Sequence, residues 1–151
     1  MMTRKIPFFE YPRLWTDNKQ EYISIFDHVA SSGGFILQKD LADFETELAK
    51  YTGVNYSVGV GNATDAMEIF LEAIGLNKGD EIIISSHTML ATASAIKFAG
   101  GVPVPVDIGE DNLICTDSIE NSITSNTIGI MPTQLNGRVC DMDKIIKKKK
   151  K

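Results

Sequence analysis

The chain has little of what marks several large classes of protein. Of its 151 residues only two are cysteine, Cys115 and Cys140. Their spacing matches neither a metal-ligand set nor a disulfide framework, so the sequence offers no metal site and fits a reducing compartment. No apolar run reaches the length of a membrane span, and Met1 to Trp15 lacks the apolar core of a signal peptide. A cytoplasmic protein without a membrane partner is the expectation. Excess basic charge is also missing. The formal net charge is −5, and Lys147 to Lys151 supply five of the positive charges, so the rest of the chain stands at −10. An acidic body argues against nucleic acid as a partner, and a terminal lysine run reads as a solvated tail. No internal repeat is visible.

What is present is an alternation of strand-like and helix-like patterns over a length that suits one domain with a sizeable core. Residues 1–20 read as an irregular arm, with Pro7 and Pro12 among Phe8, Phe9, Tyr11 and Trp15. Ile23, Phe26, Val29 and Ala30 form a helical stripe over residues 21–31, which Ser31-Ser-Gly-Gly34 ends. Leu41, Phe44, Leu48 and Tyr51 share a face of a second helix over residues 39–52, with Gly53 placed to cap its carboxyl end. Strands are expected at 56–60, 81–85, 102–107 and 127–132, with helices from about Thr64, at 88–99 and at 117–124. Pro103 and Pro105 argue that the third of these strands is an edge or a strand with few ladder bonds. Such alternation indicates a three-layer α/β/α fold with a mostly parallel sheet, whose first parallel pair joins 56–60 to 81–85. Ligands of such sheets bind beyond the carboxyl ends of the strands, where His87, Asp107 and Asn136 fall.

The stretch that points to chemistry is Tyr56-Ser-Val-Gly-Val-Gly-Asn-Ala-Thr-Asp-Ala66. An extended run enters a Gly-Asn-Ala-Thr turn, and an amphipathic helix follows, with Thr64 or Asp65 as its expected N-cap. The first N–H groups of a helix lack intrahelical acceptors and the helix dipole is positive there, so the junction is a natural phosphate cradle. Gly61 provides either a positive φ or close backbone approach, and Ala63 keeps the mouth open. An ordinary capped turn with no ligand explains the same residues. Gly59-Val-Gly-Asn-Ala-Thr64 lacks the third glycine of the dinucleotide fingerprint, and Ser85-Ser86-His87 stands where that fingerprint wants an acid. No Gly-Lys-Ser/Thr follows the turn, which excludes a Walker loop.

Several blocks occur in order and at matching spacing: Gly34-Phe-Ile36, Phe44-Glu45, Gly61-Asn-Ala-Thr-Asp-Ala66, Gly79-Asp-Glu-Ile82, Ser86-His-Thr88, Ala91-Thr92, Gly101-Val-Pro103 and Asp107. Over residues 9–146 the chain resembles the N-terminal third of the DegT/DnrJ/EryC1/StrS sugar aminotransferases. The resemblance implies part of the large domain of a fold-type I enzyme dependent on pyridoxal 5′-phosphate (PLP). It implies amino transfer, usually from glutamate, to a keto sugar nucleotide in polysaccharide or deoxyamino-sugar synthesis, by a homodimer. The division it suggests is an arm (1–20), the beginning of the large domain (21–146) and a lysine tail (147–151).

By that resemblance Asn62, Ala63 and Thr64 lie in the cofactor phosphate site, with the N–H groups of Ala63 and Thr64 and the threonine hydroxyl as donors. Met89 stands where the family has an aromatic ring stacked on the pyridine; a thioether covers a ring face less directionally. His87 meets cofactor or substrate, or is structural. Gln134 replaces a histidine of many relatives, and Asn136-Gly137 matches the loop beside the cofactor. The family's cofactor-bearing lysine and its pyridinium carboxylate belong to segments beyond residue 151, so the catalytic set of this chain is empty. The lysine run is what an adenine-rich tract encodes, and the expectation is a truncated, inactive chain. A non-enzymatic dimerisation or phosphate-binding fragment and a PLP-dependent sugar dehydratase are the alternatives.

Overall fold

The computed structural model describes residues 6–148. The chain divides into two compact units, residues 1–59 and 60–151. The first holds two helices. α1 spans Tyr11–Ser32, so the arm expected over 1–20 is already helical from Tyr11. Pro12 in the first turn is compatible with this, because the N–H that it lacks has no partner inside a helix anyway. Residues 1–5 lie outside the described residues. α2 spans Lys39–Thr52 and ends as expected on Gly53, at φ 73°. The Gly53 N–H donates to the Lys50 carbonyl and the Val54 N–H to Ala49, which closes the last turn with two otherwise orphan carbonyls satisfied. The stripes that signalled these helices are poorly covered within the described residues: α1 buries none of its residues and α2 only Ala49.

The second unit is the α/β layer structure. In chain order it contains α3 (Ala63–Ala73), β1 (Glu81–Ser85), α4 (Leu90–Phe98), β2 (Val102–Val106), α5 (Thr116–Ser122), β3 (Thr127–Met131) and α6 (Met142–Lys148). The strands form one parallel sheet in the order β2-β1-β3. β1 lies in the centre, as its unbroken Ile82-Ile83-Ile84 run requires, because both faces of a central parallel strand are covered. Ile82 and Ile84 pack with Leu71 of α3 and Ile96 of α4. Ile83 points the other way, into a core with Val106, Ile119 of α5, Cys140 and Ile145 of α6. Helices therefore cover both faces, and the three-layer α/β reading holds.

β2 is an edge strand, as its two prolines suggest, and its geometry shows how they are accommodated. The Val102 N–H donates to Asp80 at 2.8 Å across the β1 side. Successive N–H groups alternate in direction, so positions 103 and 105 face away from β1, where a missing donor breaks no ladder bond.

Two expectations fail here. Residues 56–60 form no strand. Both edges of β1 are taken by β2 and β3, so this segment cannot be its partner, and Val58 remains 77% exposed. The expected first parallel pair is instead β1 with β2, with α4 between them. The lysine tail also begins too early: Lys147 and Lys148 are helical, on an α6 whose Ile145 is buried. Asp141 starts that helix by accepting the Lys144 N–H at 3.1 Å, a capping signal present in Asp141-Met-Asp-Lys144.

Candidate functional site

Because the strands are parallel, Ser85, Val106 and Met131 all end on one edge of the sheet. The loops that leave it carry His87 and Met89 after β1, Asp107 after β2, and Gln134 and Asn136 after β3. α3 reaches the amino end of β1 through the turn at 74–80. At about 1.5 Å per residue its 11 residues span about 16 Å, close to the length of β1. Near the end of α3, Leu71 packs with Ile82 and Ile84 of β1, and the first turn carries Ala63 and Thr64.

That first turn is capped by Asn62, not by Thr64 or Asp65 as the sequence suggests. The Asn62 Oδ1 accepts the N–H groups of Thr64 at 2.9 Å and Asp65 at 3.0 Å, while its Nδ2 donates to the Asp65 carboxylate at 2.9 Å. Of the three donors that the resemblance implies, the Thr64 N–H is therefore occupied. The Ala63 N–H and the Thr64 hydroxyl take no protein partner among the described residues. Gly61 has no positive φ; its role is close approach, since a Cβ there would stand 2.7 Å from the Asp65 carboxylate.

The loop after β1 is held along its length. The Ser86 N–H donates to the Val106 carbonyl at 2.9 Å. Buried Ser85 accepts the His87 N–H at 3.2 Å and donates to the His87 carbonyl at 3.4 Å. Thr133 Oγ1 donates to Thr88 Oγ1 at 2.8 Å, and Thr88 and Thr92 share a hydroxyl contact at 2.9 Å. On this fixed backbone the His87 ring is exposed and the Met89 side chain is 75% exposed.

The loop after β3 is closed on itself. Gln134 Oε1 accepts the Cys140 N–H at 2.6 Å and its amide nitrogen meets the Met142 sulfur, so this side chain staples its own loop. Asn136 is exposed and left-handed, at φ 53°, inside a 3-10 turn over Leu135–Gly137. The Arg138 guanidinium donates to the Asp111 carbonyl at 2.6 Å and ties this loop to the one after β2. In that β2 loop, Cys115 stands at the N-cap position of α5, and the Ser118 hydroxyl, then the N–H groups of Ser118 and Asp117, hold its thiol below the ordinary range.

The sequence thus brings His87, Met89, Asp107 and Asn136 to one edge, and misses Asn62 as the cap and Thr92 and Thr133 as anchors. Thr88 and Thr92, four apart at a helix start, carried a spacing signal. Thr133 carried none. No cluster of three or more metal-ligating side chains occurs among the described residues. No helix of the described residues is long and apolar enough to cross a membrane.

Open parallel α/β sheets take their ligands beyond the carboxyl ends of the strands, and the described loops after β1, β2 and β3 leave this sheet there. The profile of the DegT/DnrJ/EryC1/StrS aminotransferase family matches residues 16–151, and the chain belongs to that family. The dTDP-3-amino-3,4,6-trideoxy-alpha-D-glucose transaminase of Streptomyces venezuelae is 33% identical over 142 residues, covering 93% of this chain and 38% of the relative. The dTDP-3-amino-3,6-dideoxy-alpha-D-galactopyranose transaminase of Aneurinibacillus thermoaerophilus is 37% identical, over 93% of this chain and 39% of the relative. Among solved structures, DesV of S. venezuelae superposes with a TM-score of 0.91 at 32% identity, over 97% of this chain and 40% of that one. NtdA of Bacillus subtilis, solved with bound cofactor PMP, superposes with a TM-score of 0.90 at 35% identity, over 97% of this chain and 34% of that one. The chain spans about two-fifths of the length of the curated relatives it matches.

Proposed function

We propose that this chain supplies the phosphate-binding edge of a PLP-dependent aminotransferase that acts on a nucleotide sugar with glutamate as donor. The setting is surface-polysaccharide or deoxyamino-sugar synthesis in the cytoplasm, by a homodimer. The observation that carries the reading is the start of α3, where the Ala63 N–H and the Thr64 hydroxyl take no protein partner among the described residues. The donors present fit a phosphate, because one N–H and one O–H at a positive helix end both favour an anion. Asn62 keeps the turn ordered and yields its two N–H bonds when the phosphate needs them. Met89, His87 and Asn136 would lie towards the cofactor, with the Met89 thioether available to cover a ring face. When bound, the cofactor supplies the electron sink for amino transfer.

The residues of this unit bind and orient, and by themselves turn nothing over. Amino transfer of this kind needs a lysine at the cofactor. The described loops at the carboxyl edge, residues 86–89, 107–115 and 132–141, contain no lysine. Lys144 on α6 pairs with Asp141, and Lys148 pairs with Glu120. The same observation favours a second reading, a phosphate-binding module without catalysis. Titration with PLP, followed by borohydride reduction and mass analysis, separates the two levels. Saturable binding without a stoichiometric reduced adduct supports the half-site. A stoichiometric adduct on one lysine shows that the chain completes its own site and overturns the non-catalytic reading.

A further inference from the structure

We infer that Thr133, Thr88 and Thr92 form a hydroxyl relay whose task is to position the loop after β1, and that Thr133 is a positioning residue for His87 and Met89. The inference rests on the proposed cofactor site only for the purpose of those two side chains; the relay itself stands on geometry. Three threonines from three separate elements meet: Thr133 on the loop after β3, Thr88 on the loop after β1, and Thr92 in the first turn of α4.

The hydroxyls have the capacity for both contacts. A hydroxyl has one donor and two acceptor positions. Thr133 gives its proton to Thr88, and Thr88 and Thr92 share a second hydroxyl bond in which either oxygen can donate, so Thr88 is bonded on both sides. Thr92 is buried, where an unmatched hydroxyl oxygen is costly, so the relay has a fixed inner end. The outer end is fixed as well. The Thr133 carbonyl accepts the buried Cys140 thiol at 3.4 Å, and the adjacent Gln134 closes the same loop onto the Cys140 N–H.

Thr88 is therefore clamped from both sides, and it lies between His87 and Met89, whose side chains are exposed. The other holds on this loop are the Ser86 N–H to the Val106 carbonyl, the His87 N–H to the Ser85 hydroxyl, and the Thr92 N–H to the Met89 carbonyl at 3.1 Å. These set the path of the chain, but none of them reaches the loop after β3. Thr133 alone of the described hydrogen-bond donors links the two loops through side chains, so it registers the His87–Met89 face against the Asn136 face.

The experiment is amide hydrogen exchange, resolved by residue, on the full chain without cofactor. Thr133→Val keeps the shape and removes the hydroxyl; Thr133→Ser keeps the hydroxyl. Loss of one hydroxyl bond is expected to speed exchange at His87 through Leu90 by about twofold to tenfold, the range that one such bond spans. Exchange in β1 and α6 stays as in the wild type, and Thr133→Ser restores wild-type rates. Thr133→Ala is read alongside as a variant without packing strain. The relay is overturned if exchange in the loop is unchanged in Thr133→Val or Thr133→Ala, or if the serine variant behaves like valine. It is equally overturned if all amides speed up together or if both variants fail to fold, because Thr133 is then a residue of the general fold. PLP titration of the wild type reads the cofactor proposal separately: no saturable binding with an intact relay removes the site and leaves the relay standing.

Discussion

The Asn62 carboxamide oxygen accepts the Thr64 N–H at 2.9 Å, at the very donor that a phosphate at this helix start would seek. The cap and the ligand therefore compete. Replacing Asn62 with alanine should cost about 0.5–2 kcal/mol of stability, the ordinary effect of losing a cap. It should also tighten inorganic phosphate binding a few-fold, by freeing the N–H groups of Thr64 and Asp65. Thermal melts with and without phosphate check both effects. Weakened binding would mean that Asn62 itself holds the anion.

Thr64→Ala should act in the opposite direction, since it removes one of the two donors left open. With two or three bonds at about 0.5–1.5 kcal/mol each, wild-type affinity for PLP is millimolar at best, and the variant falls below it. Absorbance titration of both proteins measures the difference. Equal affinities would move the phosphate site away from α3.

Cys115 and Cys140 should differ sharply towards iodoacetamide. Cys140 is buried and reacts only on unfolding. Cys115 is half-buried, and its thiolate is favoured by the Ser118 hydroxyl and the N–H groups of Ser118 and Asp117. A lowered thiol pKa means that alkylation rises at lower pH than for a free thiol, and Ser118→Ala should shift the profile back upward. Mass analysis after alkylation across a pH series reads both sites. An unshifted Cys115 profile would refute this.

Ile83→Ala should destabilise the chain by about 2–5 kcal/mol, because the side chain is fully enclosed between β1 and the α5–α6 layer. Tyr51→Ala should fall within about 0.5 kcal/mol, since Tyr51 is 89% exposed despite its place on the α2 stripe. Denaturant midpoints decide between burial and periodicity as the guide.

Consecutive exposed apolar residues, Phe35, Ile36 and Leu37 among them, predict self-association of the chain. Light scattering over a concentration series should show species above the monomer mass. A monodisperse monomer that melts cooperatively would contradict this.

Local pattern was sufficient wherever an element is decided by its own residues. The Ile82-Ile83-Ile84 run marked a central strand, Pro103 and Pro105 marked an edge, and Gly53 marked the end of α2. The order of helices and strands also pointed to a parallel α/β sheet with a ligand edge, and the spaced motif blocks to a family. Those features rest on backbone chemistry and burial periodicity, which a sequence carries directly.

Tertiary structure decided what depends on partners. Tyr56 to Val60 has the alternation of a strand, yet β1 has two edges, and β2 and β3 fill both. Tyr11 begins a helix because proline in a first turn loses nothing, a matter of where the helix starts. Asn62 displaced Thr64 and Asp65 as cap because the backbone turn brings its amide onto two N–H groups at once. Thr133 came to Thr88 from 45 residues away, a meeting that only the strand order β2-β1-β3 produces. Sequence by itself determined the central strand, its parallel neighbours and the helices between them, because those elements carry their own burial pattern. The fold determined which donors are open, because hydrogen bonds between distant residues leave no periodic trace in the chain.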